Sequence, residues 1–256
     1  MSTTIAIASG KGGVGKTTVT ANLGIALGLA GKKVIMVDAD LDMANLELVL
    51  GMEGRPITLQ DVLTGEAEIQ DAVYEVAQNA RFVPAGVSPG KKRADPEKIA
   101  RTILQLSSMA EYILLDCPAG IGKDTIACFA ACKQTLLILT PEPMSASDAY
   151  KTKIAADRMG SELIGLCVNM AKGTQGELTD KEVSSLLEAP VLSKIPYDEN
   201  LRAAALQGKP ILLSNPTTPS AQAIAGLAAR ICGETYIPVQ PRPSFFSKLF
   251  GFLKKR

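Results

Sequence analysis

The chain has 256 residues, 46% apolar and 21% charged, which suits one sizeable buried core or at most two. It contains no histidine, the commonest general base and metal ligand, and its five cysteines form no C-x-x-C pair, so imidazole chemistry is excluded and a reduced compartment is expected. The net charge of +1 is uneven: five basic and no acidic residues follow Pro241, leaving 22 basic against 26 acidic residues, a net of −4, in the remainder, a poor surface for nucleic acid.

Short apolar runs recur along the chain. In order they are "TTIAIAS", "KVIMVD", "RFVPAG", "YILLDCP", "TLLILTP", "LIGLCVN" and "PVLSKIP". Helical periodicity fills most of the intervals, notably 17–30, 95–109, 145–158 and 180–188. Continuous apolar strands alternating with helices predict an α/β fold, a mostly parallel twisted sheet with helices on both faces. In such sheets ligands gather at the carboxyl ends of the strands, so the residues after each strand are the candidates for chemistry.

The first strand runs into Gly10-Lys11-Gly12-Gly13-Val14-Gly15-Lys16-Thr17-Thr18, which opens a helix. This is the G-x-x-x-x-G-K-[ST] phosphate loop in its strand–loop–helix setting. Glycines let backbone N–H groups wrap phosphate oxygens, Lys16 reaches the β- and γ-phosphates, and the Thr17 hydroxyl holds Mg2+. Asp38 and Asp40 end the second strand, and Asp116 ends "YILLD". Asp38 and Asp40 also read as solvated turn residues or helix caps, but two carboxylates beside a phosphate loop are better explained by metal and water, with Asp116 as the Walker B residue supporting Mg2+. Catalysis without histidine then rests on charge stabilisation and placement of water. Lys11 is one lysine more than the loop requires.

"KGGVGKTT", with "DADLDMANLEL", "LLDCPAGI" and "IPYDENLRAAALQGKPI", resembles the deviant Walker A ATPases of the MinD/ParA superfamily, and among them the MinD type, from residue 5 to about 231. The resemblance implies a P-loop NTPase fold, ATP and Mg2+ as cofactors, and hydrolysis of ATP to ADP and phosphate. It implies that Lys11 crosses a homodimer interface to the phosphates of the other subunit, so that a competent site exists only in the ATP-bound dimer. It gives Asp40 the attacking water, places Asp38 near Mg2+, and assigns Asp116 and Gly120 to a second switch. Asn169 matches the adenine-contacting asparagine, although Met170 stands where an arginine usually follows, and Pro196 and Asp198 match the loop that closes over the base; the latter two also read as a plain strand-to-helix turn.

The three prolines of 237–243 separate a domain of 1–236 from a basic tail, 244–256. At 100° per residue, Phe245, Phe246, Leu249, Phe250, Phe252 and Leu253 fall in a stripe of about 160°, flanked by Lys248, Lys254 and Lys255. This predicts an amphipathic helix that lies on a membrane surface and favours anionic lipid; the alternative is a helix docked on its own domain, which the proline-rich linker and the terminal position speak against. Six such side chains contribute roughly 1.5 to 3 kcal/mol each when fully buried and each cation about 1 kcal/mol. Ordering a short segment costs about 1 to 2 kcal/mol per residue, so one copy binds marginally and two copies in one dimer bind far better.

No leader and no apolar run of about 18 residues is visible, so the expectation is a cytoplasmic protein peripherally and reversibly attached to the membrane. The function expected is that of a spatial regulator of cell division or protein positioning, with a division inhibitor or activator among its partners and no specific nucleic acid. A DNA-partitioning ATPase, a flagellar-number regulator and a metal-cluster maturation ATPase are the competing readings. The −4 body, the absent N-terminal extension and the absent cysteine pair speak against them in turn.

Overall fold

The computed structural model describes residues 2–86 and 95–236. The chain begins with β1 (Thr3–Ala8), enters α1 (Lys16–Leu29) through the glycine loop, and returns in β2 (Val34–Asp38). Two short helices, α2 (Leu46–Leu50) and α3 (Leu59–Thr64), precede the strands β3 (Tyr74–Ala77) and β4 (Ala80–Val83). Then follow α4 (Ile99–Leu106), β5 (Tyr112–Asp116), α5 (Lys123–Ala131), β6 (Gln134–Leu139), α6 (Pro143–Arg158) and β7 (Glu162–Ala171). The domain closes with α7 (Asp180–Leu187), β8 (Val191–Pro196), α8 (Glu199–Leu206), α9 (Ile211–Ser214) and α10 (Pro219–Cys232).

The strands described form one sheet in the order β3-β4-β2-β5-β1-β6-β7-β8, parallel except for the antiparallel pair β3–β4. From β1 the chain moves out to β2 on one side, and after β5 it passes over β1 to β6 on the other. That reversal at β1 opens a crevice at its carboxyl end, where the phosphate loop lies.

Alternation along β1 divides the core into two layers. Ile5 and Ile7 face a cluster with Leu23, Leu27, Leu201, Ile224 and Leu227, which places α1, α8 and α10 on one side. Ala6 and Ala8 face Ile103, Phe129, Ala149 and Leu187, from α4, α5, α6 and α7, on the other. Because β1, β2, β5 and β6 are covered on both faces, they read as unbroken apolar runs. At the edge, β8 alternates instead: Ser193 and Ile195 are buried and Lys194 is exposed.

The expected helix boundaries shift for local reasons. The interval 95–109 holds a 3-10 turn, Pro96–Lys98, before α4. The α6 helix starts two residues before 145, since Pro143 fits the first helical position, where no N–H bond is lost. Beyond α10, Lys32 Nζ pairs with Glu234 Oε1 at 2.8 Å, so the described chain ends near the amino ends of β2 and β5, away from the phosphate loop. Among the described residues no helix is long and apolar enough to cross a membrane. The linker 237–243 and the tail residues Phe245, Phe246, Lys248, Leu249, Phe250, Phe252, Leu253, Lys254 and Lys255 lie outside the described residues.

Candidate functional site

The loop between β1 and α1 depends on glycines at fixed points. Gly13 and Gly15 have φ of 78° and 84°, the left-handed region that other residues occupy at a cost. A Cβ at Gly15 would also strike the Asn169 amide, and one at Gly10 would strike the backbone of Asp148. Gly15 caps α1, so the free N–H groups of the first helical turn face the crevice and make it attractive to anions.

At the bottom of the crevice Lys16 Nζ donates to Asp116 Oδ1 at 2.7 Å, the Thr17 hydroxyl donates to Oδ2 at 2.6 Å, and the Thr20 hydroxyl donates to Oδ1 at 3.0 Å. Burial works against the Lys16 charge, but the adjacent Asp116 carboxylate and its hydrogen bond outweigh it, and the amine is held above its ordinary pKa. Asp38 stands beside Asp116 on the neighbouring strand, in register with it and fully buried. Its Oδ1 accepts from the N–H of Asp40 at 3.1 Å, and its Oδ2 from those of Asn45 and Leu46 at 3.1 and 2.9 Å. Burial, and after it the negative Asp116, push the Asp38 carboxyl up to about 7 against the pull of these N–H groups. Asp40 is half-buried, takes the Met43 N–H at 2.9 Å, and is raised mainly by burial.

A pocket of about 420 Å³ joins these parts: Gly12 to Thr18 form one wall, and Asp40, Asn45 and Val49 another. Next to it a pocket of about 180 Å³ is lined by Thr18, Asn169, Met170, Pro196, Asp198 and Leu206, among others. The expected base contacts therefore converge in one place, but in different roles. Asn169 is buried and its amide nitrogen donates to the Val14 carbonyl at 2.7 Å, which leaves the carbonyl end for another donor. Met170 has φ of 58°. Asp198 is occupied as the N-cap of α8, accepting from the Asn200 N–H at 2.8 Å and the Ser220 hydroxyl at 2.5 Å, so it shapes the wall of the pocket.

Lys11 is not part of either wall. Its Nζ pairs with Glu142 Oε2 at 3.4 Å, with both side chains partly exposed. The Thr140 hydroxyl also donates to Glu142. Glu142 and Thr20 are the residues that sequence reasoning missed. Glu142 follows the carboxyl end of β6 and was open to the same argument as the aspartates; Thr20 lies one turn into α1, where threonine is common without chemical meaning.

The donor set suits Mg2+, a hard cation that takes oxygen ligands and retains water. Thr17 offers a hydroxyl, and Asp38, Asp40 and Asp116 offer carboxylates. No closed group of three His, Cys, Asp or Glu gathers among the described residues, so phosphate and water oxygens would complete the coordination. A glycine loop, a helix N-terminus, a buried lysine and a buried carboxylate at the end of the neighbouring strand together define a P-loop nucleotide-binding protein.

Within that class the chain belongs to the CobQ/CobB/MinD/ParA nucleotide binding domain family, which matches residues 5–211. It is 44% identical over 258 residues to an uncharacterised ATP-binding protein of Methanocaldococcus jannaschii, covering 98% of both chains. Its fold is similar to the cell division ATPase MinD of Pyrococcus furiosus, with a TM-score of 0.88 and 38% identity over 91% of this chain and 99% of that one. It is also similar to MinD of Pyrococcus horikoshii complexed with Mg-ADP, with a TM-score of 0.87 and 36% identity over 90% and 96% of the two chains. ATP hydrolysis is general to the family, and the chain is an ATPase that uses ATP and Mg2+.

Proposed function

We propose that the chain is a MinD-like switch: it dimerises with ATP, attaches to the membrane surface through the amphipathic segment 244–256, and positions a partner such as a division protein. The observation that carries this is the placement of Lys11. The lysine belongs to the phosphate loop in sequence, yet it lies outside the phosphate pocket of its own chain and pairs at the surface with Glu142. A cation so placed fits a role on the phosphates of a second subunit, where it would meet developing charge in a site from which water is excluded. Within one chain, Lys16 and the loop N–H groups hold the phosphates, Thr17 and Asp116 hold the metal, Asp38 near the metal fixes the loop that carries Asp40, and Asp40 orients the attacking water. Asn169 recognises the base in the pocket that Pro196 and Asp198 help to form.

The reading is tested by liposome co-sedimentation with ATP, with ADP and without nucleotide, repeated with duplex DNA in place of lipid. The expected result is pelleting with ATP and anionic vesicles only. Pelleting with DNA in an ATP-dependent manner, and not with lipid, would assign the same engine to nucleic-acid partitioning.

A further inference from the structure

The phosphate pocket and the base pocket have separate walls, far apart along the chain, that meet backbone to backbone. The wall on the phosphate side is α2, which supplies Val49 to the pocket and whose first residue, Leu46, is tied by its N–H to Asp38. The wall on the base side is α8, which supplies Leu201, Arg202, Ala205 and Leu206. Gly51 ends α2 with φ of 66°, and Gly208 follows α8 with φ of 61°. A Cβ at Gly51 would collide with the Gly208 carbonyl, and a Cβ at Gly208 would lie 2.7 Å from Gly51 Cα and 3.1 Å from the Leu48 carbonyl. Both glycines are thus needed twice, for their backbone conformation and for close approach. Behind them Leu46 and Leu50 of α2 share one buried cluster with Leu201 and Ala204 of α8.

We propose that the Gly51–Gly208 contact is a positioning device that couples the base pocket to Asp40, so that an adenine seated against α8 orders the loop from Asp38 to Gly51. The proposal rests on the reading that the 180 Å³ pocket takes the base. The transmission runs through named parts. A base against Leu206 and Ala205 fixes the end of α8, and Gly208 then fixes Gly51 and α2. The N-terminus of α2 shares the Asp38 carboxylate with the N–H of Asp40. No residue between 38 and 51 lines the base pocket, so a base has no direct contact through which to order that segment.

Hydrogen exchange of the segment 38–51 tests the coupling, with saturating Mg-ADP compared with saturating Mg-pyrophosphate, which fills the phosphate site without a base. In the wild type, ADP should slow exchange about fivefold or more beyond pyrophosphate, the low end of ordinary coupling between sites. Gly208→Ala and Gly51→Ala should lose that increment while still binding ADP. Gly65→Ala controls for strain, because Gly65 has φ of 84° and nothing within 4 Å of an added Cβ, and it should retain the increment. Equal protection by the two ligands in the wild type overturns the proposal without recourse to any variant, and so does an increment that survives in Gly208→Ala. Ala205→Trp, which fills the pocket, distinguishes the other failure: undiminished ADP affinity there would overturn the placement of the base, and the coupling with it.

Discussion

At the scale of single residues, Lys11, Asp40 and Asp38 carry separable expectations. Lys11→Ala should leave nucleotide binding measurable through Lys16 and the loop backbone, and remove ATP-dependent dimerisation and turnover together, the latter by about a thousandfold if the lysine acts as a finger in trans. A variant that dimerises with ATP at normal affinity refutes that role. Asp40→Ala should bind ATP and dimerise yet fail to hydrolyse, giving a longer-lived dimer; a monomer with ATP and Mg2+ by chromatography would assign Asp40 to folding or metal retention. Asp38 brings a pH dependence. Its folded value of about 7 lies above the ordinary value for aspartate, so the native state binds an extra proton across the interval between them. The stability linked to this group is therefore present at the acidic end and is lost as pH rises through about 7. Melting of the nucleotide-free protein should show this fall, and Asp38→Asn should flatten it. Spacing made the loop and the three aspartates legible, since their chemistry sits in short local patterns. Thr20 was not legible, because its contact with Asp116 exists only where α1 and β5 meet; Glu142 was legible by its place after β6, but its pairing with Lys11 was not.

At the scale of elements, the tail is the most testable part. Deleting 244–256 should abolish liposome binding and preserve ATP-dependent dimerisation, because the phosphate site is built from residues elsewhere. Phe250→Glu should do most of the same damage by placing a charge within the apolar stripe. Neutralising Lys254, Lys255 and Arg256 should weaken binding chiefly to anionic vesicles, and in a salt-dependent manner. Strands β1, β2, β5 and β6 were readable because burial on both faces leaves an unbroken apolar signature. The edge strand β3 was not, since it is only partly buried and has no such run. The five residues of α2 are too few to show a helical period, although this element carries one wall of the phosphate site.

At the scale of the whole molecule, fold class followed from the alternation of strands and helices, whereas strand order depends on contacts between segments distant in sequence and had no local signal. The tail fused to an inert dimer should bind vesicles far more tightly than the same tail on an inert monomer, since the second insertion is intramolecular. Equal binding would move ATP control to release of a tail held on the domain. The Lys32–Glu234 pair adds a mechanical consequence. It places the end of the described chain at the pole of the sheet remote from the phosphate loop, and a proline-rich stretch the length of 237–243 would reach about 22 Å if extended. In the proposed dimer, closed over its nucleotides, the two tethers would then leave from outward ends, like the feet of a trestle. Both feet would reach a flat bilayer only with the long axis of that dimer parallel to it, so the proposed attachment would also fix orientation, and shortening the tether should weaken binding by lifting one foot.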